Sequence, residues 1–382
     1  MDNLTHSFVG LAAAKTGLDK LSPASTALCL IAANAPDSDI SVLLFGDRWT
    51  YLKHHRGITH AIVGAVCLAV VLPLIFYAVD ILVARWKRRE PKVKLRGLFI
   101  ASFIVTATHP LLDWLNNYGV RPLLPWSSQW AYGDLIYIVD PFLWLLFGGT
   151  SFLLTSKSRL QKICWAALAT LLTLLVMFGP VRRQDLVNPR LLVAVWMVVL
   201  LLFILLFLVK ADRRWGHRIA VCAFVIAGAY LVGLSFTHRV ALSRAQNQAT
   251  SIASQHGETV AKLAVMPTLA NPFRWQCTFK TNGATYRFGL DIFREVQVGL
   301  IRYPVPTGEL AAAMEQIALE RSARVFLDFA RFPVARLKET SCTTQTLLQL
   351  ADLRYTEPGS GRSTFTLELP VNCKAFGESI DR

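Results

Sequence analysis

Charged residues are scarce in this sequence, and acidic residues are scarcer than basic ones. Only 17% of the 382 residues are charged, compared with about 25% in an average soluble domain. Asp and Glu together number 25, against 40 Lys and Arg, so the formal charge is +15. The chain is nevertheless apolar, with a mean hydropathy of +0.41. This combination excludes an intrinsically disordered chain, which needs low hydrophobicity. It also argues against a nucleic-acid-binding protein, whose basic surface comes with a polar composition.

Cysteine is also scarce, since seven Cys in 382 residues are too few for a disulfide scaffold of this size. Three of them, Cys277, Cys342 and Cys373, lie in the polar tail. One pair of these could be bridged if the tail lies outside the cytoplasm. The first residues, MDNLTHSF, have neither a basic segment nor a long apolar run, so no cleavable signal peptide is predicted there.

Long apolar runs are abundant. A transmembrane helix needs about 20 mostly apolar residues, and six stretches meet or approach that length: Ala61–Val83, Gly97–Leu115, Leu135–Leu154, Ile163–Pro180, Leu191–Val209 and Ile219–Phe236. A seventh run, Ala24–Ala35, is too short to cross and is interpreted as a buried or re-entrant helix. An integral membrane protein explains both the apolar composition and the positive charge, because Lys and Arg collect in cytoplasmic loops.

The distribution of basic residues predicts the orientation of the chain. Residues 1–238 carry 23 basic and 12 acidic side chains, whereas residues 239–382 carry 17 and 13. The most basic loops are Arg85–Arg96, Thr155–Lys162 and Lys210–Arg218, which alternate along the chain. The positive-inside rule places these loops in the cytoplasm. The N-terminal region and the C-terminal tail are therefore both expected outside it.

Two domains are predicted from these patterns. Residues 1–238 are expected to form an all-α membrane domain, a bundle of about six transmembrane helices with short re-entrant or interfacial helices at the N-terminal end. Residues 239–382 are expected to form a soluble, extracytoplasmic α+β domain. In that tail, Arg239–Leu263 has a helical pattern, and Asn282-Gly283 predicts a hairpin turn between two strands.

His109 and Asp113 are the strongest candidates for chemistry. Spaced at i and i+4, they share one face of a helix, and ionisable residues in membrane spans are costly enough to be functional candidates. His60, at the start of the first span, could supply a third metal ligand. Asp37 or Asp39, in the loop after the short apolar run, could supply a fourth. The structural alternatives are a His–Asp hydrogen bond between helices and helix-capping carboxylates.

Further residues are weaker candidates. His6 follows Asp2 by one helical turn and could bind a second ion. Thr59, Thr108, Asp134 and Asp140 are candidates for orienting the ligands. Asp140 followed by Pro141 also predicts a helix start. His54, His55 and Arg56 are either solvated or phosphate-binding, and metal ligation by the two His is an alternative.

Five motifs in order carry a resemblance to a known family: MDNLTHSFVGLAAAK, AANAPDSD, HHRGITHA, THPLLDWLNNYG and YGDLIYIVDPFLW. Over residues 1–150 the chain resembles the bacterial inner-membrane metal-dependent hydrolases, also described as LexA-regulated or LexA-binding membrane hydrolases. The likeness extends more loosely to NPFRW in the tail. It implies a metal centre and an inner-membrane location. The family label alone implies contact with a repressor, which fits poorly with a tail outside the cytoplasm.

A remoter resemblance is to the zinc-dependent phospholipase C and P1-type nuclease fold. The matching order is His6, Asp37 or Asp39, His60, then His109 and Asp113 as His-x-x-x-Asp. That fold continues with further His ligands, but this sequence has no His between His109 and His217. The resemblance therefore implies a centre of one or two metal ions, with Asp134 and Asp140 as partial replacements.

The functional hypothesis is a membrane-bound metal-dependent hydrolase that acts on an ester or phosphoester at the outer face of the inner membrane. Zn²⁺ is the expected ion, with Mn²⁺ and Mg²⁺ as alternatives, and it would activate water. One of Asp37, Asp39 and Asp113 would be the general base. Membrane lipids are the expected partners, a lipid-linked compound the expected substrate, and no direct nucleic-acid contact is expected.

Two other classes of function remain open. The first is a non-enzymatic membrane protein with a structural metal or His/Asp site and a partner-binding tail. The second is a transporter, which fits less well because the ionisable residues gather at one face of the membrane rather than at its midplane.

Overall fold

The computed structural model describes residues 1–179, 189–294, 298–339, 344–360 and 365–373. The chain divides into two compact units. The first comprises Met1–Ile40, Arg56–Phe236 and Pro267–Pro272, and the second comprises Ser41–His55, Thr237–Met266 and Phe273–Arg382. The predicted boundary after residue 238 lies close to the division at Phe236. The division is not a single cut, however, because Ser41–His55 belongs to the second unit and Pro267–Pro272 to the first.

The first unit is helical in its described residues. Its α-helices are α1 (Asn3–Lys15), α2 (Ser25–Asn34), α4 (Ile62–Trp86), α5 (Leu95–Trp114), α6 (Pro141–Thr155), α7 (Arg159–Phe178), α8 (Pro189–Leu208), α9 (Ala211–Trp215) and the first part of α10 (His217–Gln255), while α3 (Arg48–His54) belongs to the second unit. Three 3₁₀ helices lie between them: Leu18–Lys20, Ala35–Leu44 and Ile58–His60.

Six helical segments among the described residues are long and apolar enough to cross a membrane: Ser25–Leu44, Ile62–Trp86, Leu95–Trp114, Arg159–Phe178, Arg190–Leu208 and His217–Gln255. The chain is thus a multi-pass membrane protein. Five of these segments match predicted spans to within two residues at the ends that fall short, and Pro180 of one predicted span lies outside the described residues. The predicted number of about six is matched, but the set of segments differs from the prediction.

The helix within the predicted span Leu135–Leu154 is shorter than predicted, and the apolar segment that begins in the run Ala24–Ala35 is longer. Helix α6 begins only at Pro141 and has 15 residues, about 22 Å at 1.5 Å per residue, whereas the bilayer core is about 30 Å thick. It begins there because the Asp140 carboxylate accepts hydrogen bonds from the backbone N–H groups of Phe142 and Leu143. Conversely, the 3₁₀ helix Ala35–Leu44 continues α2 and completes a segment of 20 residues.

Small residues allow α1, α2 and α5 to pack closely. Ala13, Ala14, Ala32, Ala33 and Ala101 are buried in one cluster, as is common where helices meet in membranes. Gly10 marks the closest approach, because a Cβ atom there would lie 2.6 Å from Ala33 Cβ and 2.8 Å from the Cys29 carbonyl oxygen. The backbones of α1 and α2 are therefore close enough that only glycine fits at this position.

The second unit is rich in strands. They are β1 (Val260–Thr268), β2 (Asn271–Thr281), β3 (Ala284–Asp291), β4 (Val298–Pro304), β5 (Pro333–Leu337), β6 (Gln345–Asp352) and β7 (Thr366–Asn372). The first four form one sheet in the order β1-β2-β3-β4, and the last three form an antiparallel sheet in the order β5-β6-β7. Helices α11 (Gly308–Ile317) and α12 (Arg321–Phe329) complete an α+β fold.

Two predictions about the tail have different outcomes. The hairpin is confirmed, because β2 pairs antiparallel with β3 and only Asn282-Gly283 lies between them. The helix predicted over Arg239–Leu263 is too long: α10 ends at Gln255, Gly257 adopts φ +66°, and β1 starts at Val260.

The described cysteines of the tail differ in state. Cys373 is in a disulfide, whereas Cys277 is free and buried. Cys342 lies outside the described residues.

We expect Gly10→Ala to lower the thermal stability of the protein, because the added methyl group overlaps Ala33 and Cys29. Overpacking of this kind typically costs about 1–3 kcal/mol. Gly233→Ala is the matched control, since a Cβ atom there meets nothing within 4 Å and alanine favours a helix. The measurement is thermal unfolding of the detergent-purified protein, followed by tryptophan fluorescence. Equal shifts for the two variants would contradict the close approach of α1 and α2.

Candidate metal centre

Four of the six predicted metal ligands lie together in the first unit. Asp37, His60, His109 and Asp113 each offer one ligand atom, and these atoms all lie within 4.8 Å of one another. Helix α5 presents His109 and Asp113, while Asp37 and His60 lie on two of the 3₁₀ helices. His60, His109 and Asp113 are buried. Asp37 has 13% of its side chain exposed, so the group opens to the surface on the side of this carboxylate.

The Nε2 atoms of the two imidazoles are central to the group. His60 Nε2 lies 3.3 Å from Asp37 Oδ1 and 3.3 Å from Asp113 Oδ2. His109 Nε2 lies 3.5 Å from each of the same two oxygens. The two Nε2 atoms are 3.1 Å apart. Two nitrogens and two carboxylate oxygens therefore surround a common point.

The partners of the Nδ1 atoms determine which nitrogens carry lone pairs. His109 Nδ1 lies 2.6 Å from the Ala33 carbonyl oxygen, which only accepts, so Nδ1 donates its hydrogen and Nε2 carries the lone pair in the neutral ring. His60 Nδ1 lies 3.1 Å from Thr59 Oγ1 and 3.5 Å from Asp39 Oδ2. The carboxylate favours a proton on this Nδ1 as well.

Protonation of the imidazoles is disfavoured. Burial lowers the pKa of His60 to about 4, although a hydrogen bond with Asp37 acts in the opposite direction. His60 is therefore neutral at neutral pH, the state in which imidazole binds metals. The two Nε2 lone pairs face each other and two carboxylate oxygens, an arrangement that a cation between them stabilises.

Arg56 holds Asp113 from the other side. Its Nη2 donates to Asp113 Oδ1 at 2.9 Å, and its Nη1 donates to Asn116 Oδ1 at 3.0 Å and to the Gly119 carbonyl at 3.1 Å. Asp113 Oδ1 is thus engaged by Arg56, while Oδ2 faces the imidazoles. The guanidinium also lies over the Tyr118 ring, 4.4 Å from its centroid. Arg56 is buried, so its interpretation as a solvated residue is wrong.

Arg56 also orients Asp39 through its backbone. The Arg56 N–H donates to Asp39 Oδ2 at 3.0 Å, and the residue adopts φ +52°. Asp39 lies beside His60 Nδ1 and outside the group of four. Of the two carboxylates between which the sequence left a choice, the structure therefore places Asp37 in the group of four and Asp39 beside His60 Nδ1.

His6 lies next to the group without joining it. Its ring stacks on His109 with a centroid distance of 3.7 Å, and its Nε2 lies 3.4 Å from Asp113 Oδ1. The amino group of Met1 contacts the same oxygen. Burial, followed by the charge of Arg56, lowers the pKa of this amino group well below its usual value. His6 therefore lies against His109 and Asp113 but outside the group of four that could hold an ion.

The four residues predicted to orient the ligands lie in different places relative to the group of four. Thr59 contacts His60 as described. Thr108 does not support a ligand, because its hydroxyl donates to the Val105 carbonyl of its own helix at 2.7 Å. Asp140 caps α6 and accepts a hydrogen bond from the Tyr230 hydroxyl at 2.9 Å, so its role is structural. Asp134 is buried and lies outside the group of four.

The donor set fits a divalent metal ion. Two imidazole nitrogens with two carboxylate oxygens suit Zn²⁺, and also Mn²⁺. The electrostatics agree, because the carboxylates of Asp37, Asp39 and Asp113 all lie beside the imidazole of His60. Clustered negative charge is costly to bury, and a divalent cation would lower that cost.

The candidate centre lies within the part of the chain that matches a family model. Residues 1–186 match the model of a family described as YdjM inner membrane protein. A curated relative, YfhP of Bacillus subtilis (strain 168), is described as uncharacterized; it is 28% identical over 155 residues, which cover 38% of this chain and 43% of that protein. The chain thus spans less than half the length of this relative. No solved structure matches the chain. Together with the apolar helices, the family match supports a multi-pass inner membrane protein.

We expect the purified protein to bind one divalent ion per chain and the double variant His109→Ala, Asp113→Ala to lose it, because half of the donor atoms are removed. His217→Ala is the matched control, since His217 is exposed and lies outside the group of four. The measurement is elemental analysis after incubation with Zn²⁺ and removal of excess metal. Equal zinc content in the double variant and the control would contradict the assignment.

Proposed function

We propose that this protein is a membrane-bound metal-dependent hydrolase that cleaves an ester or phosphoester. The observation that supports it most is the convergence of two imidazole lone pairs and two carboxylate oxygens in a buried, negatively charged group. Asp37, His60, His109 and Asp113 would hold the ion, and Zn²⁺ fits this donor set best.

Each residue of the centre has a proposed role in the reaction. A divalent ion, when bound, lowers the pKa of water from about 16 toward 7 and polarises the scissile group. Asp37 would bind the ion through Oδ1, and its second carboxylate oxygen is the proposed general base, because this carboxylate is partly exposed and so borders the open side where water and substrate enter. Arg56 keeps Asp113 Oδ2 directed at the imidazoles. The Ala33 carbonyl and Asp39 hold the imidazoles in the required tautomers.

The surroundings of the ligands favour a substrate that resides in the membrane. Ile58 and Ile62, on either side of His60, are exposed, and so are Leu111 and Trp114 beside Asp113. Apolar side chains exposed next to a polar centre suit an amphiphile, whose head reaches the ligands while its chain stays in the bilayer. A lipid ester or a lipid-linked phosphoester is therefore the proposed substrate class, and direct binding of nucleic acid has no part in the proposal.

The proposed location of the centre is the outer face of the membrane, with the N-terminal region and the second unit both outside the cytoplasm. The three basic loops support this orientation, because they share one side of the membrane when α6 crosses it and Ser25–Leu44 does not. The disulfide at Cys373 supports it independently, since disulfides persist in oxidising compartments. A repressor in the cytoplasm would then meet only the basic loops, and that contact is proposed from the family label alone.

A structural metal site is the second candidate function. Structural zinc sites are closed by four protein ligands, whereas catalytic sites keep one position open. Four ligand atoms meet here, and three of the four side chains are buried. In this case the protein would be a non-enzymatic membrane component whose second unit binds a partner.

We expect Asp37→Asn to lower hydrolysis of p-nitrophenyl esters or bis-p-nitrophenyl phosphate by about 10²–10⁴-fold, the usual contribution of a general base. The substitution keeps an oxygen ligand and removes the basic carboxylate. Asp328→Asn is the matched control, because Asp328 is exposed on α12. Both variants and the wild type are assayed after zinc loading in detergent. A zinc-loaded wild type without activity would favour the structural candidate, and an active Asp37→Asn would refute the assignment of the base.

We expect a reporter enzyme that is active only outside the cytoplasm to be active when fused after Arg382 and inactive when fused within Arg85–Arg96. The positive charge of that loop keeps it inside. Immunoblotting controls for the amount of each fusion. An inactive C-terminal fusion that is stably expressed would refute the proposed orientation.

A further inference from the structure

A carboxylate within a membrane-spanning helix holds the loop between α4 and α5. Asp80 is buried near the end of α4. Its Oδ1 accepts from Arg89 Nη2 at 2.6 Å, and its Oδ2 accepts from the backbone N–H groups of Lys92 and Val93 at 2.7 and 2.8 Å. An ionised group in a span is costly. Its cost is offset here by three hydrogen bonds that all go to the loop.

Other bonds fix the backbone of the same loop. The Arg89 N–H donates to the Ala84 carbonyl at 2.9 Å, and the Lys94 N–H donates to Ser22 Oγ at 2.8 Å. A positive-inside signal depends on the number of Lys and Arg residues and requires no fixed backbone. The bonds to Asp80 and Ser22 are therefore not needed to orient the chain in the membrane. They give the loop a surface of defined shape.

The fixed loop displays positive charge beside an aromatic side chain. Its exposed cations are Arg85, Lys87, Arg88, Lys92, Lys94 and Arg96, and its acidic residue is Glu90. Trp86 is 81% exposed. Because the loop joins two spanning helices, these side chains lie at the depth of the lipid headgroups, where tryptophan, lysine and arginine are the residues that membrane proteins use as anchors.

We propose that the loop Arg85–Arg96 is a binding surface for the headgroup of an anionic phospholipid. Charge complementarity selects the partner, because six exposed cations against one carboxylate match a lipid phosphate without a compensating choline. Clusters of four to eight basic residues beside a spanning helix bind anionic lipids in this way. The surface is separate from the metal centre, and the proposal does not depend on hydrolase activity.

The test uses the full-length protein in detergent with two short-chain lipids, dihexanoyl phosphatidylglycerol and dihexanoyl phosphatidylcholine, and measures binding by calorimetry. We expect the wild type to bind the anionic lipid preferentially. The triple variant Lys92→Gln, Lys94→Gln, Arg96→Gln should bind it about tenfold more weakly or worse, since each cation near a headgroup contributes strongly. The matched control is Lys157→Gln, Arg159→Gln, Lys162→Gln, which removes three exposed cations from another basic loop and should bind like the wild type.

The variant Asp80→Asn distinguishes lipid binding by a loop of fixed shape from general electrostatic attraction between the loop and the lipid. It removes the ion pair with Arg89 and raises the net charge by one. A fixed surface predicts weaker lipid binding, whereas general attraction predicts equal or tighter binding. Size-exclusion chromatography shows whether Asp80→Asn is folded, and if it is not, the two triple variants still decide.

Three results would overturn the proposal. The first is equal loss of binding in both triple variants. The second is undiminished binding by folded Asp80→Asn. The third is equally tight binding of the chain-free headgroup glycerophosphoglycerol, which would identify a soluble phosphate compound rather than a membrane lipid as the ligand.

Discussion

The ion pair between Arg56 and Asp113 organises the candidate metal centre. Asp113 is buried, and its two oxygens face different groups: Oδ1 accepts from the guanidinium and Oδ2 lies beside the two imidazoles. The guanidinium holds Oδ1 and so keeps Oδ2 directed at the imidazoles. The backbone of Arg56 holds Asp39, which in turn lies beside His60 Nδ1. One cation therefore orients a ligand directly and a second ligand through an intermediate carboxylate.

The close packing of α1, α2 and α5 also determines how the ligands are oriented. The Ala33 carbonyl of α2 accepts from His109 of α5, so the separation of these helices determines the orientation of the imidazole. Gly10 of α1 and the surrounding alanines bring the backbones together. Small residues that drive helix association in a membrane thus also position a metal ligand. Asp80 is likewise a buried charge whose ion pair with Arg89 fixes a neighbouring segment, the basic loop between α4 and α5.

Sequence patterns predicted those parts of the centre that depend on local spacing. His109 and Asp113 follow from the i, i+4 rule, and His60 follows from its place at the start of a span. The choice between Asp37 and Asp39 stayed open because both lie on one short segment. The role of Arg56 could not be predicted, because its partner is 57 residues away and its backbone lies in the left-handed region. The contact between His109 and the Ala33 carbonyl could not be predicted either, because every residue has a backbone carbonyl. The helix within the predicted span Leu135–Leu154 is shorter than predicted, because hydropathy does not register the capping of α6 by Asp140.

The central claim is that two histidines and two aspartates of the first unit hold one divalent ion. X-ray absorption spectroscopy at the zinc edge on the zinc-loaded, detergent-purified protein tests it most directly. The account predicts nitrogen and oxygen ligands at about 2.0–2.2 Å, with outer-shell scattering from two imidazoles that falls to that of one imidazole in His109→Ala. Sulfur scattering at about 2.3 Å, or a spectrum without imidazole scattering, would contradict it.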